Sequence, residues 1–280
     1  MSFAFQLVFT PLQSTDWLCE LVDKASWRVY VCTYSLNEEN LLSALFKASQ
    51  RGVEVKIMFE TGVAPPGARI KVDVENSLLH LKFIVIDERV LFGSANFTQN
   101  GLKNSLNDLL LVEDSLVASQ FADLFESIWN GEVKRITIEQ DGLMVKNFHL
   151  EELLLEELSK ARKTVDIAMY ALTHPKVWAL LKILASRKVK VRLLVDRWFL
   201  DSSTLKDLPK SCIELRVFKD LTLHTKFFII DGRTVISGSA NATKSGYAKN
   251  AELMMILKRK DLVKEYVEFF EKIWREGVEP

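Results

Sequence analysis

Two copies of one polar motif stand out in a chain of 280 residues. The first copy is His80-Leu81-Lys82 and the second is His224-Thr225-Lys226. Each lies at the head of an apolar run typical of a strand, where alternate residues share a face, so the imidazole and ammonium of each copy project together. Burying an ammonium beside an imidazole is costly unless an anion neutralises them. The pattern predicts a pocket for a negatively charged group, assembled from two halves of the chain.

Each motif is followed by the segment Gly-Ser-Ala-Asn at the end of the next predicted strand, at 93–96 and 238–241. The glycine allows a tight backbone, and the hydroxyl and amide side chains can hydrogen bond phosphate oxygens. Gly-Ser-Ala-Asn alone indicates an ordinary turn, but its place after each His-Lys pair favours phosphate binding. The side chains assigned to this role are Ser94, Asn96, Ser239 and Asn241.

Two kinds of carboxylate accompany each motif. Asp87 and Asp231 end the motif strands and precede Glu-Arg or Gly-Arg, which favours a role in a turn over a role in chemistry. Asp108 and Glu252 stand 28 residues after the motif histidines, each at the head of another apolar strand. Because a nucleophilic imidazole needs an acceptor that orients its second nitrogen, we pair the first histidine with Asp108 and the second with Glu252. The alternative is that these two carboxylates only begin strands.

The motifs occupy matching places in an internal repeat that covers almost the whole chain. Each half contains a strand ending in Tyr-x-Leu, a helix with apolar residues at three- and four-residue intervals, a second strand, the motif, a further strand and a final amphipathic helix. This alternation predicts an α/β fold in which each half has a mixed β-sheet flanked by helices. We place the halves at 1–135 and 136–280, because a helix ends at Asn130-Gly131 and a polar segment follows it. The matched elements are strands 28–36 and 164–172, helices 39–50 and 176–187, strands 53–59 and 189–195, and strands 109–112 and 253–257.

The halves differ in one connection, which is longer in the second half and runs around Trp198 to Pro209. Loops carry much of the binding function of a fold because the scaffold tolerates their variation. We therefore expect this insertion to make substrate-specific contacts.

Composition narrows the class of protein. Hydrophobic residues form 48% of the chain, enough for a sizeable core, and Lys plus Arg equals Asp plus Glu at 37 each. Because the net charge is zero, the protein as a whole does not attract nucleic acid or an anionic membrane electrostatically. Binding of a polyanion therefore requires a local patch of positive charge. Cys19, Cys32 and Cys212 have no metal-ligand spacing and favour a reducing compartment, here the cytoplasm. No apolar run approaches the ~20 residues that cross a bilayer, and the apolar start of the chain, broken at Pro11, indicates a first strand.

The paired motifs resemble those of the phospholipase D superfamily, whose signature is H-x-K-x4-D followed by G-S-x-N. Both copies match, and the resemblance covers nearly the whole chain. It implies two similar phospholipase D-like halves related by a pseudo-twofold axis, with both His-Lys pairs meeting at the interface. It also implies a hydrolase that cleaves phosphodiesters without a metal or other cofactor, and a complete active site in one monomer.

The implied mechanism assigns a role to every motif side chain. One histidine attacks phosphorus to give a phosphohistidine, while the other protonates the leaving oxygen and then activates water or an acceptor alcohol. Lys82 and Lys226, with the serines and asparagines of the two Gly-Ser-Ala-Asn segments, hold the nonbridging oxygens as charge grows. The spacing from histidine to asparagine differs by one residue between the copies, which suggests unequal roles for the histidines. By analogy alone, His80 is assigned as the nucleophile.

The expected substrate is nucleic acid. Gly-Ser-Ala-Asn-Phe-Thr, Gly-Ser-Ala-Asn-Ala-Thr, the downstream Asn-Ala-Glu at 250–252 and Thr-Pro at 10–11 resemble the small bacterial endonuclease branch, of which this chain is similar to a fused dimer. Cations near the motifs could follow a phosphate backbone, although solvated surface charge explains them equally well. These cations are Lys103, Arg197, Arg233, Lys244 and Lys249.

Two alternatives stay open from the sequence. A phospholipase D or phosphatidyltransferase acting on phospholipid head groups is favoured if Trp198-Phe199-Leu200 and Val63-Ala64-Pro65-Pro66 form an exposed apolar rim. An inactive phosphate-binding module is the third interpretation. The intact histidine and lysine of both copies count against it, because a protein that had lost its catalytic activity would be expected to lose these residues first.

Overall fold

The computed structural model describes residues 4–73, 78–201 and 213–280. The chain divides into two compact units, Met1–Ile138 and Glu139–Pro280. Among the described residues, no helix combines the length and the apolar character needed to cross a membrane.

The first unit is built on one mixed sheet with the strand order β1-β8-β6-β5-β2-β3-β4. Strands β2, β3 and β4 are parallel, and the other neighbouring pairs are antiparallel. The strands are β1 (Ala4–Phe9), β2 (Arg28–Leu36), β3 (Glu54–Gly62), β4 (Arg69–Val72), β5 (Phe83–Ile86), β6 (Arg89–Gly93), β7 (Ser105–Leu106) and β8 (Asp108–Glu113). The helices are α1 (Asp16–Asp23), α2 (Glu39–Gln50), α3 (Gln99–Lys103) and α4 (Ser115–Trp129).

The second unit repeats this plan with the strand order β13-β12-β11-β15-β16-β17-β10-β9. Strands β11, β12 and β13 are parallel, and β11, β15, β16, β17 and β10 are antiparallel neighbours in that order. The strands are β9 (Thr137–Gln140), which contains the division between the units, β10 (Leu143–Lys146), β11 (Thr164–Met169), β12 (Lys190–Asp196), β13 (Ile213–Phe218), β14 (Thr222–Leu223), β15 (Lys226–Ile230), β16 (Thr234–Gly238) and β17 (Met254–Leu257). The helices are α5 (Leu150–Ser159), α6 (Pro175–Ser186), α7 (Arg197–Asp201), α8 (Lys244–Ala248) and α9 (Lys260–Glu276).

Central strands are apolar on both faces because helices cover both sides of each sheet. In β2, Val29 and Val31 pack with helices α1 and α2 in one core, while Tyr30 on the other face stacks on Phe125 of α4 at a ring distance of 4.9 Å. The second unit places Phe228 against the core of α5 and α6, and Phe227 against Tyr266 of α9 at 5.2 Å. The predicted fold class, two α/β halves with mixed sheets flanked by helices, is confirmed.

Most predicted elements are present with small shifts at their ends. Strand β2 and helix α2 have the predicted bounds, whereas β11 ends at Met169 instead of Leu172. Leu172 has left the sheet edge and forms an isolated parallel bridge with Ala242, just after the second Gly-Ser-Ala-Asn segment. The insertion predicted around Trp198 to Pro209 lies largely outside the described residues, as does Cys212, whereas Cys19 and Cys32 are free thiols.

Candidate active site: two matched half-sites

Each unit carries one half-site, which we define by five side chains taken from the predicted set. The first half-site is His80, Lys82, Ser94, Asn96 and Asp108, and the second is His224, Lys226, Ser239, Asn241 and Glu252.

The motif lysines are buried and bent back along their own strands. Lys82 is 0% exposed and Lys226 is 2% exposed. Lys82 Nζ donates to the backbone oxygen of His80 at 2.7 Å, and Lys226 Nζ donates to the backbone oxygen of His224 in the same way. A buried ammonium costs several kcal/mol of solvation unless it is compensated by charge or hydrogen bonds. Each half-site thus holds a buried cation next to its motif histidine, an arrangement that can attract an anion.

A tyrosine lies against each motif histidine. The ring centroids of Tyr34 and His80 are 5.9 Å apart, and those of Tyr170 and His224 are 5.3 Å apart. Both tyrosines belong to the Tyr-x-Leu ends of the matched strands, but the sequence analysis assigned them no role. They restrict the imidazole rings from one side, as packed aromatic neighbours do.

The motif serines are held by the predicted carboxylates. Ser94 Oγ donates to Asp108 Oδ1 at 2.9 Å and accepts from the Asp108 backbone nitrogen at 3.0 Å. Ser239 Oγ donates to Glu252 Oε2 at 2.5 Å and accepts from the Leu253 backbone nitrogen at 2.9 Å. The structure thus brings serine and carboxylate together in both units. The orientation of each histidine by its carboxylate stays a prediction.

The glycine of each Gly-Ser-Ala-Asn segment permits this contact. A Cβ on Gly93 would lie 2.2 Å from the backbone oxygen of Asp108, and one on Gly238 would lie 2.2 Å from that of Leu253. These distances are far inside van der Waals contact, so any side chain would push the two strands apart. Glycine is needed here to bring the serine next to its carboxylate.

Asn96 and Asn241 each bury a side-chain oxygen, Oδ1, that has no hydrogen-bond partner among the described residues. Leaving a buried acceptor unsatisfied costs about 1–3 kcal/mol. Such groups in native structures require an explanation other than stability. The same acceptor is unsatisfied in both half-sites, which suits a ligand that donates a hydrogen bond, whereas phosphate oxygens would accept from the Nδ2 groups of these asparagines.

Asp87 and Asp231 lie in tight turns and hold the backbone. Both have left-handed φ angles, 49° and 53°. The Asp87 carboxylate accepts from the backbone nitrogens of residues 26–28, and Asp231 accepts from those of residues 162–164. Although partial burial opposes ionisation, the three amide donors lower the pKa of Asp231. Each aspartate ties its turn to the start of the neighbouring central strand.

A second pair of carboxylates was missed by the sequence analysis. Glu60 at the end of β3 accepts from the backbone nitrogen of Leu79, and Asp196 Oδ2 at the end of β12 accepts from that of Leu223 at 2.8 Å. Leu79 and Leu223 immediately precede the motif histidines. Burial raises the pKa of both carboxyl groups. Because Glu60 and Asp196 follow matched strands, aligning the two copies beyond the motifs would have revealed them.

The cations near the motifs differ in their availability. Lys103 Nζ forms an ion pair with buried Glu38 at 2.9 Å. Arg233 follows the turn at the far end of β15, so a strand of five residues, roughly 16 Å long, separates it from the motif. Arg197, Lys244 and Lys249 are exposed.

The conditional apolar rim is interrupted in both segments. Trp198 is 55% exposed, but the next residue, Phe199, is 1% exposed. In the other segment Val63 is exposed and Pro65 is buried. Trp198 is thus exposed next to a buried Phe199, and Val63 and Pro66 are exposed on either side of buried Pro65. Among the described residues, no group of three or more His, Cys, Asp or Glu side chains could hold a metal ion.

Comparison with known proteins identifies the family. The family described as "Cardiolipin synthase, PLD-like domain" matches the chain twice, over residues 18–129 and 154–274. The mitochondrial cardiolipin hydrolase of Canis lupus familiaris is 32% identical over 126 residues, covering 44% of this chain and 50% of that protein. The chain thus spans about half the length of the curated relatives that it matches.

Two solved structures share the fold across almost the whole chain. The phosphatidylserine synthase of Haemophilus influenzae is 12% identical, with a TM-score of 0.75, and the match covers 98% of this chain and 87% of that one. The polyphosphate kinase of Porphyromonas gingivalis is 17% identical, with a TM-score of 0.75, and the match covers 96% of this chain and 50% of that one. These two likenesses show the fold alone. Together with the doubled family match, the repeated motifs place the chain in the phospholipase D superfamily, with one PLD-like domain in each half.

Proposed function

We propose that this chain is a metal-independent phosphodiesterase that hydrolyses nucleic acid through a phosphohistidine intermediate. The observation that carries the proposal is the pair of matched half-sites, each with one imidazole, one buried ammonium and one serine-carboxylate contact. Two-step displacement at phosphorus needs a nucleophile and a separate acid-base group. One histidine from each half-site supplies these two roles at a single phosphoryl group.

In the first step, a nitrogen of neutral His80 attacks phosphorus. The N–P bond forms, the bond from phosphorus to the leaving oxygen breaks, and protonated His224 gives its proton to that oxygen. The product alcohol leaves, and a phosphohistidine remains. The assignment of His80 as nucleophile rests on analogy with the family, and the opposite assignment obeys the same chemistry.

In the second step, His224 takes a proton from water as the water oxygen attacks phosphorus. The N–P bond breaks, the phosphate monoester leaves, and both imidazoles regain their starting protonation. Lys82 and Lys226 stabilise the negative charge on the nonbridging oxygens in both steps, because a fixed ammonium in a water-poor site interacts strongly with growing charge. Asn96 and Asn241 contribute amide groups to the same oxygens.

The choice of nucleic acid follows from the surroundings of the second motif. Arg197, Lys244 and Lys249 are exposed and can follow a polyanionic backbone, which gains affinity from released counterions. Each of the two segments considered for an apolar rim is interrupted by a buried side chain, Phe199 in one and Pro65 in the other, which weakens the case for a lipid-facing rim. The proposed compartment is the cytoplasm.

Phospholipid is the second candidate substrate. It is favoured by the names of the matched family and of its curated relatives, which refer to cardiolipin synthase and cardiolipin hydrolase. The same two-step chemistry would then release a head-group alcohol or pass the phosphatidyl group to another alcohol.

One incubation series with EDTA present separates these candidates. Single-stranded DNA, duplex DNA, RNA, phosphatidylcholine and cardiolipin are each mixed with wild type, His80→Ala and the control His149→Ala. His149 is an exposed histidine outside both motifs. We expect cleavage of at least one nucleic acid by wild type and His149→Ala, no cleavage by His80→Ala, and no lipid turnover. Lipid turnover without cleavage of nucleic acid would overturn the proposed substrate.

The intermediate is tested separately from the substrate. Rapid acid-free quenching of wild type with labelled substrate should trap label on the protein in an acid-labile, base-stable form typical of phosphohistidine. Steady turnover without any transient labelling of the protein contradicts the two-step mechanism.

A further inference from the structure

A pair of stacked aromatic rings, one half-buried and one exposed, adjoins the second half-site. The rings of Tyr170 and Trp198 are nearly parallel, at an interplanar angle of 6°, with centroids 5.1 Å apart. Tyr170 is the ring that also lies against His224. Trp198 covers the outer side of this pair and is 55% exposed. We call the two residues the Tyr170–Trp198 stack.

The stack is linked directly to the reacting groups of the second unit. Lys226 Nζ lies over the Tyr170 ring, 5.6 Å from its centroid. The His224 imidazole is 5.3 Å from the same ring. An anion held by Lys226 would therefore lie beside an aromatic surface that continues outward to the exposed indole.

The backbone at Trp198 is anchored although its side chain faces solvent. Asp196 Oδ1 accepts from the Trp198 backbone nitrogen at 2.8 Å, and Asp196 Oδ2 accepts from the Leu223 backbone nitrogen at 2.8 Å. One carboxylate therefore connects the backbone of Trp198 to the residue that precedes the motif histidine. The neighbouring Phe199 is buried in the core of the unit. A preorganised aromatic surface loses little entropy when a ligand stacks on it.

The first unit has no such surface at the matching place. Alignment of β3 with β12 sets Gly62 opposite Trp198, and a Cβ on Gly62 would lie 2.3 Å from the backbone oxygen of Leu36. Its φ of 143° also disfavours a side chain. Within the described part of the first unit, no aromatic ring stacks on the outer side of Tyr34. The aromatic extension belongs to the second half-site only.

We infer that the Tyr170–Trp198 stack binds a nucleobase adjacent to the phosphodiester that is cleaved. This inference rests on the proposed function and assigns the base-binding side of the substrate to the second unit. Both Lys226 and Trp198 lie against the Tyr170 ring, at 5.6 Å and 5.1 Å from its centroid, so a phosphate at Lys226 and a base on Trp198 can belong to the same strand. Stacking on an indole accepts every base, because each has a π-face. The expected preference is for unpaired strands of any sequence.

Equilibrium binding tests the inference without turnover. All variants carry His80→Ala, which removes the assigned nucleophile and leaves the stack intact. The probes are a fluorescent hexathymidylate and an abasic strand of equal length and charge. We expect the parent to bind hexathymidylate about 10-fold more tightly than the abasic strand, since base stacking supplies about 1.4 kcal/mol or more. Adding Trp198→Ala should remove this difference by weakening only the base-bearing strand.

Two further variants control for folding and for nonspecific loss. Trp198→Phe keeps an aromatic face and should retain affinity for hexathymidylate within about 3-fold of the parent, since stacking needs only a π-surface. Trp27→Ala removes a tryptophan of similar exposure in the first unit, 51%, and should leave both affinities unchanged. Thermal melts of all variants report folding.

The possible outcomes separate this inference from the proposed function. Equal weakening of both strands by Trp198→Ala, or no change in either, overturns base stacking while leaving the nuclease proposal in place. Failure of the parent to bind either strand overturns the proposed function and this inference with it. Loss of binding to phosphatidylcholine vesicles in Trp198→Ala, with strand affinity unchanged, would assign the stack to a lipid surface and refute a base site.

Discussion

The two half-sites agree in the contacts of the reacting groups and differ in the residues just outside them. In both, the motif lysine donates to the backbone oxygen of its histidine, and the motif serine donates to a carboxylate. Outside this shared set, Gly62 of the first unit corresponds to the exposed Trp198 of the second. The two copies share the contacts of the motif residues and differ in the surface beside them.

The two units also differ at the start of the helix that follows β2 in the first unit and β11 in the second. At α2 the cap residue Glu38 is buried and pairs with Lys103 at 2.9 Å. At α6 the cap residue is His174, which lies 3.3 Å from Glu151. Lys103, near the first Gly-Ser-Ala-Asn segment, is thus held in an ion pair within its unit. Lys244, near the second segment, is exposed. Under the proposed function, both differences favour the second unit as the one that contacts the rest of the substrate.

The largest expected effect concerns the shared chemistry. His80→Ala and His224→Ala should each lower kcat by about 10³-fold or more, because the nucleophile and the acid-base group are both required. Steady-state cleavage of the best substrate measures the loss, with His149→Ala as the control. Wild-type rates in either motif variant would show that one half-site is sufficient for cleavage and would refute the equal need for both.

The turn aspartates should have equal effects on stability. Asp87→Asn and Asp231→Asn should each lower the free energy of unfolding by about 1–3 kcal/mol, because each carboxylate accepts from three backbone amides. Asparagine tolerates the left-handed backbone, so the loss reports the hydrogen bonds. Urea denaturation followed by circular dichroism gives the values.

The pH dependence at Asp231 has a definite sign. Its pKa is lowered in the folded state, so its stabilising contribution is complete above the ordinary aspartate value of about 3.9 and is lost as the pH falls through the folded pKa. The difference between wild type and Asp231→Asn should therefore shrink in acid. A difference that grows on acidification would contradict the assigned role.

Substitution of Glu60 and of Asp196, which bind the residues before the motif histidines, should affect the two half-sites differently. Glu60→Gln and Asp196→Asn should both lower kcat by about 10-fold, because each loosens the residue that precedes a motif histidine. Only Asp196 also holds the backbone of Trp198, so only Asp196→Asn should raise KM for an oligonucleotide. Equal changes in kcat and KM for both variants would remove the distinction between the half-sites.

The smallest expected effect is on the salt dependence of binding. Lys244→Ala and Lys249→Ala should each reduce the slope of log affinity against log salt by about 0.7 for a single strand. Lys103→Ala should leave the slope unchanged and instead destabilise the first unit, because it leaves buried Glu38 without its cation. A reduced slope in Lys103→Ala would show that the first unit also contacts the strand.

The sequence predicted the fold because the repeat and its periodicity are local signals. Continuous apolar strands such as 28–36 indicated sheets covered on both faces, and the apolar spacing of 39–50 defined a helix with the observed bounds. Ends were less certain where a tertiary contact decided them. β11 ends at Met169 because its parallel partner β12 gives way to helix α7 at Arg197, whereas β3 of the first unit pairs with β2 as far as Leu36.

The sequence by itself determined which residue types occur twice, their spacing and their shared strand face, because strand geometry alternates side chains with a period of two. Only the tertiary structure decided their partners. It joined each motif serine to a carboxylate, Glu60 and Asp196 to the residues before the histidines, and Trp198 to Tyr170. These contacts connect different segments of the chain. The sequence offers each side chain several possible partners, and only the packing of the strands and helices determines which partner lies within hydrogen-bond or stacking distance.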